Sequence, residues 1–177
     1  YLLDRLERAY TFLERDFRHV LRVLQEFDFE EPKPQQLDLS EVAGGVLEQL
    51  GEDFACPVSC RLQEAPVRAK RAEMETLVYI LMENAAKYCS GYVRIRTGRA
   101  KAGGYIFISN DAGGDQPSGS GLGFSIARKL AQRNSLSIRH KEAGNRFAVL
   151  VTQQAPGGML TIFSRRYGLR GGKELIC

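Results

Sequence analysis

The sequence lacks any apolar run approaching the ~20 residues needed to span a bilayer, so no transmembrane segment is expected. Charges run throughout Tyr1–Phe29, which argues against a secretory leader there. The first residue is not Met, and a fragment or a processed chain is expected. The two histidines lie far in sequence from the four cysteines and no C-x-x-C pair occurs, so a zinc site is not expected. Cys56 and Cys60 are four apart, Cys89 follows a helical pattern and Cys177 is terminal, which does not read as a disulfide framework. Reduced cysteines in a cytoplasmic compartment are the simplest reading. The charge balance, 25 basic against 21 acidic residues, is too mild to argue for nucleic acid. Part of the basic excess sits in Arg165, Arg166, Arg170 and Lys173, which read as a solvated end. There is no internal repeat.

What is present suits a domain with a real core. The chain has 177 residues, 44% hydrophobic and 26% charged, enough for one ordinary domain with a helical appendage. Leu3, Leu6, Tyr10, Leu13, Phe17, Val20, Leu24 and Phe27 recur at alternating steps of three and four. That is a heptad seam over residues 1–29, and its 3.5 period favours a coiled coil or helical bundle with a partner copy. The other reading is a helix docked on its own domain. Pro32 and Pro34 end the helix, and residues 30–37 read as a linker.

From residue 38 the pattern changes to alternating elements. Asp38 and Glu41 have capping-box spacing, and Val42, Val46, Leu50 and Phe54 mark the face of the helix that follows. Gly44 and Gly45 weaken it. Val58–Leu62 reads as a short strand and residues 63–70 as a loop. The strongest helix spans 73–88, with Leu77, Ile80, Leu81, Asn84, Ala85 and Tyr88 at helical spacing. Strands follow at Tyr92–Thr97 and Tyr105–Asn110, around Gly103-Gly104. A Gly-, Ser-, Asp- and Pro-rich loop runs from Asp111 to Gly123. A helix at Phe124–Arg133 and a hairpin of Leu136–His140 with Arg146–Val151 complete the pattern, with a possible strand at Met159–Ser164. The mostly local strand connections predict an α+β fold, a mixed sheet with helices on one face.

Three stretches carry chemistry. Gly119-Ser120-Gly121-Leu122-Gly123 opens a helix, where glycine backbone and the helix N-terminus suit phosphate, although a plain flexible turn has the same composition. It is not a P-loop, because no Gly-Lys-Ser/Thr follows. It is not a dinucleotide fingerprint, because a long loop rather than a strand end precedes it. Asn84 shares a helical stripe with Leu77, Ile80 and Leu81, so it points inward and needs a partner; its oxygen can ligate Mg²⁺, or it can bridge within the core. Lys87 can reach phosphate and Tyr88 can lie against a base. The apolar strand Ile106–Ile108 ends in Ser109-Asn110-Asp111-Ala112-Gly113-Gly114, where an acceptor could meet the exocyclic amine of adenine, or the strand simply ends in a tight turn.

The order and spacing of these three stretches resemble the ATP-binding domain of sensor histidine kinases. Leu81–Tyr88 resembles that family's N box, Ser109–Gly114 its G1 box and Gly119–Leu130 its G2 box. Leu37–Val42 is similar to the family's lead-in to the first catalytic-domain helix, and the heptad helix resembles the second helix of the dimerisation hairpin. The resemblance covers roughly residues 1–151. It implies a two-layer α/β sandwich binding ATP and Mg²⁺ over residues 38–151, with residues 152–177 an extension of unassigned role. Asn84 would hold Mg²⁺, Lys87 would contact phosphate and Tyr88 would flank the adenine. Asn110 would occupy the adenine-reading position, Ala112 and Gly114 the glycine positions of the G1 box, and Gly119, Gly121, Leu122 and Gly123 the phosphate loop. It further implies a homodimer through residues 1–29, a response regulator as partner, and transfer of a γ-phosphoryl to a histidine.

The chain departs from the family at several points. Asn110 keeps an acceptor but loses the carboxylate charge. Asp111, one residue along the strand, should face the other way. Ala112 replaces a glycine, Asn134-Ser135 a common Gly-Gly, and the lid is only four residues, Asp115–Ser118. His19 sits at an outward position and lacks the acidic residue expected after an acceptor, so no phosphoacceptor or catalytic residue is assigned. These departures favour reduced nucleotide affinity and leave open a degenerate kinase acting as a dimeric scaffold. Serine kinases that control sigma factors share the ATP fold, but the heptad helix speaks against them. Gyrase-type ATPases need a Glu where this chain has Ile80.

Overall fold

The computed structural model describes residues 33–112 and 122–154. The heptad helix of 1–29, the glycine positions 113–121 and the possible strand at 159–164 lie outside them. The described chain runs β1 (Gln35–Asp38), α1 (Leu39–Leu50), a 3-10 turn (Gly51–Asp53), β2 (Val58–Arg61), β3 (Pro66–Ala69), α2 (Arg71–Tyr88), β4 (Cys89–Ala100), β5 (Gly103–Ala112), α3 (Leu122–Arg133), β6 (Leu136–Ala143) and β7 (Arg146–Gln153). Five strands form a mixed sheet in the order β2-β4-β5-β7-β6, and β1 and β3 form a separate two-stranded sheet. Within the larger sheet β2 and β4 are parallel and the other neighbours antiparallel. This is the α+β, two-layer arrangement that the local connections predict.

Strand alternation builds the core. Val93, Ile95 and Thr97 on β4, Ile106, Ile108 and Asn110 on β5, and Val149 and Val151 on β7 are all buried. The registers Val93↔Asn110, Ile95↔Ile108, Ile108↔Val149 and Ile106↔Val151 put them in aligned rows on one face. Asn110 is thus carried into the core face by the parity of an otherwise apolar strand. The helix α2 is buried almost all round, through Met74, Leu77, Val78, Ile80, Leu81, Met82, Ala85 and Ala86. It packs on α1, on α3 and on the sheet, so its apolar surface is wider than one stripe.

Several boundaries differ from the sequence expectation. Residues 35–37, read as linker, pair with β3, which lies within the expected loop 63–70. Among the described residues these four-residue strands pair only with each other, and they are too short to show a period. Asp38 joins them to α1: its Oδ1 accepts Ser40 N–H at 2.9 Å and Ala65 N–H at 2.8 Å. Burial pushes its carboxyl up, but these hydrogen bonds prevail and hold it below the usual carboxylate range. Asp38 therefore caps α1 as expected. Glu41 does not complete the capping box: its side chain is 70% exposed and lies 4.0 Å from Arg71.

The reading of all cysteines as reduced is corrected by a disulfide between Cys56 and Cys89, 33 residues apart. The sequence hides the pairing because tertiary structure creates it. The segment leading into β2 lies beside the start of β4, where Val93 N–H donates to Pro57 C=O at 2.9 Å.

The end of α3 turns through Asn134-Ser135. Ser135 has a φ of +54°, a left-handed position that favours glycine. Asn134, 3% exposed, anchors the turn. Its Oδ1 accepts Lys70 N–H at 2.8 Å, and its Nδ2 donates to Glu73 Oε2 at 2.5 Å and to Leu130 C=O at 2.8 Å. The C-terminus of α3 is thereby tied to the N-terminus of α2.

Candidate functional site

Three elements converge on the candidate site: the last turns of α2, the end of β5 and the first turn of α3. Asn84 is half-buried on α2. A Cβ at Gly123 would lie 3.6 Å from Asn84 Nδ2 and 3.4 Å from Ile80 Cγ2, so the first turn of α3 runs directly against Asn84. Glycine at 123 puts no side chain between that turn and the amide. Orphan N–H groups and the helix dipole make such a turn favourable to anions.

Asn110 is 1% exposed. Its Nδ2 donates to the Asp111 carbonyl at 3.0 Å, and its Oδ1 makes no hydrogen bond to another described residue. Asp111 faces the other way, as strand parity requires. Its Oδ1 accepts Gly91 N–H and Tyr92 N–H at 2.9 Å each and Ser90 N–H at 3.3 Å. The Tyr92 bond, with those from Gly91 and Ser90, holds its carboxyl below the usual range against a smaller opposing effect of desolvation. A side chain at Gly91 would come within 2.6 Å of Asp111 Oδ2, so the irregular start of β4 is shaped around this carboxylate. Sequence reasoning set Asp111 aside without finding this role, whose available signal was Gly91 next to the strand start.

Lys87 and Tyr88 are both half-buried, with Lys87 Nζ 5.2 Å from the centre of the Tyr88 ring. The backbone of Ala112 pairs with Cys89, which sets the end of β5 beside the residue that follows Tyr88. Leu122 is 43% exposed at the start of α3. Gly114, Gly119 and Gly121 lie outside the described residues. An open groove of about 380 Å³ lies on the outside of α3, lined by Phe124, Ser125, Arg128 and Lys129. It does not include Asn84. There Phe124 meets the His140 ring edge-on at 4.6 Å.

No His/Cys/Asp/Glu cluster able to hold a metal by itself occurs among the described residues. Mg²⁺ rarely needs one. It is commonly bound through one or two side chains together with substrate phosphates and water. The Asn84 amide, close against the first turn of α3, fits that kind of site.

No family model matches the sequence and no curated protein aligns with it. Solved structures do match. A mycobacterial sensor histidine kinase, MprB, is 18% identical over 67% of this chain and 95% of that one, with a TM-score of 0.55. The Acinetobacter baumannii histidine kinase AdeS is 17% identical over 85% of this chain and 80% of that one, at 0.59. The chain has the fold of a sensor histidine kinase catalytic domain. Full-length ShkA, solved in complex with AMPPNP, is 15% identical over 81% of this chain and 38% of that one, at 0.58. Among the described residues, no helix of this histidine kinase fold is long and apolar enough to cross a membrane.

Proposed function

We propose that this chain is the nucleotide-binding kinase core of a sensor histidine kinase, which takes Mg-ATP and delivers its γ-phosphoryl to a histidine on a dimerisation helix, from which it passes to a response-regulator aspartate. The observation that carries the reading is the contact of Gly123 with Asn84, which joins the N-box and G2-box segments 39 residues apart in sequence. The buried, acceptor-bearing Asn110 supports it from β5.

In this reading Asn84 holds Mg²⁺ through its amide oxygen, and Lys87 adds a cation toward the phosphates. Tyr88 flanks the purine. Asn110 Oδ1 accepts from the exocyclic amine, as an uncharged substitute for a carboxylate. Gly119, Gly121, Leu122 and Gly123 form the phosphate loop, and Ala112 and Gly114 stand at the glycine positions of the G1 box. The metal supplies charge neutralisation on the phosphoryl oxygens, and the protein contributes mainly positioning. Residues 1–29 supply the dimer contact. His19 is not assigned as the acceptor histidine.

Calorimetric titration with a non-hydrolysable ATP analogue, with and without Mg²⁺, tests this. Binding in the micromolar range is expected. Asn84→Ala should weaken the Mg²⁺-assisted part about tenfold or more, the scale on which even outer-shell partners of a metal act. No binding by the folded chain would overturn the kinase reading in favour of a scaffold.

A further inference from the structure

The disulfide sits at the edge of the proposed nucleotide site. Cys89 caps α2, its N–H donating to Ala85 C=O, and it immediately follows Tyr88. It also pairs with Ala112 at the end of β5. Cys56 comes from the irregular segment between the 3-10 turn and β2. The bond therefore fastens that segment to the junction of α2, β4 and β5, where two of the three site elements end. Disulfides are uncommon where thiols are kept reduced, and those that form there are usually transient and regulatory.

We infer that Cys56 and Cys89 form a redox-sensitive latch that tightens nucleotide binding when oxidised. The inference rests on the proposed nucleotide site. Without the bond, segment 54–57 is held to the sheet by the Val93–Pro57 hydrogen bond and by packing of Phe54 and Val58. Local opening of the helix end is then easier, and binding must first order Lys87, Tyr88 and the start of β4. On reduction the Cys89 thiol would have an acceptor within reach, because its Sγ lies 3.4 Å from the Ala86 carbonyl.

Accessibility orders the chemistry. Cys89 is 8% exposed, whereas Cys56 is half-buried. The Cys56 thiolate attacks a low-molecular-weight disulfide such as glutathione disulfide, releasing one glutathione thiolate. The Cys89 thiolate then attacks the Cys56 sulfur and releases the second. Two protein thiols become one disulfide, and one glutathione disulfide becomes two glutathiones. Cys60 is exposed but unpaired, and desolvation raises its thiol pKa, so it carries less thiolate at neutral pH and stays outside the pair.

The test uses the full chain carrying Cys60→Ser and Cys177→Ser, so that only the latch thiols remain. After reduction, thiol titration should count both; after equilibration with glutathione disulfide, neither. The oxidised protein should bind the ATP analogue roughly fivefold or more tightly than the reduced one. Adding Cys56→Ser should remove the difference. By linkage, bound nucleotide must make the disulfide harder to reduce by the same factor, which a glutathione redox titration reads. Equal affinities for verified oxidised and reduced protein would overturn the latch, as would two thiols persisting under oxidant. If neither form binds nucleotide, the kinase reading fails, and amide exchange over residues 86–93 decides the latch separately. Slower exchange on oxidation shows that the bond fastens this junction, and equal exchange overturns the latch.

Discussion

Replacing Asn134 by alanine should cost about 3 kcal/mol of stability. The figure follows from what the side chain satisfies. Lys70 N–H, at the start of α2, would lose its acceptor in a region where Lys70 is 8% exposed. An unpaired buried donor costs roughly 1–3 kcal/mol. Glu73, 7% exposed, would lose the amide donor on Oε2 while keeping Arg133 at 2.9 Å on Oε1. A hydrogen bond to a charged group is worth about 1.5–3 kcal/mol. Leu130 C=O would still accept the backbone N–H of residue 134, so its loss is small. Urea denaturation should show a lower midpoint with an unchanged slope. The melting temperature should fall by roughly 6–12 °C. Since this network ties the helix carrying Asn84 to the helix carrying Gly123, nucleotide affinity should fall as well. A stability loss under about 0.5 kcal/mol would refute the argument that buried hydrogen bonds, rather than helix propensity, hold this turn.

Ser135→Gly should stabilise the protein by about 0.5–1 kcal/mol, because relief of a left-handed φ outweighs the added freedom of the unfolded chain; a raised urea midpoint checks it, and a lowered one counts against it. His140 predicts a pH dependence. Desolvation, followed by the Arg128 cation, holds its pKa below the usual value, with Glu142 opposing. The unfolded chain therefore binds the proton first on acidification. The stabilisation is fully present above about pH 6.5 and is lost as pH falls through the lower native value. Thermal melts from pH 7 to 5 should decline more steeply for the native protein than for His140→Gln, and parallel curves would contradict the assignment.

Much of this protein was legible because its information is local. Helical spacing from Leu77 to Tyr88 and period-two alternation in Val93–Thr97 and Ile106–Asn110 are properties of neighbouring residues, and the structure keeps them. The same parity that alternates Ile106 and Ile108 puts Asn110 inward and Asp111 outward, so one strand decided which of two acceptor side chains lies on the core face. The proximity of Asn84 and Gly123 was legible only as a resemblance of ordered boxes; their contact depends on α2 and α3 packing together over the sheet. Other features had no local signal. The strands β1 and β3 are four residues each and are defined by one another and by Asp38. The carboxylate of Asp111 gains its role only when β4 folds back beside β5. Cys56 and Cys89, 33 residues apart, meet because the parallel pairing of β2 with β4 brings the residues before β2 to the end of α2. Sequence determined the elements and their inward faces through backbone periodicity; long-range pairing, which periodicity does not encode, decided the latch, the Asn134 tie and the distances within the site.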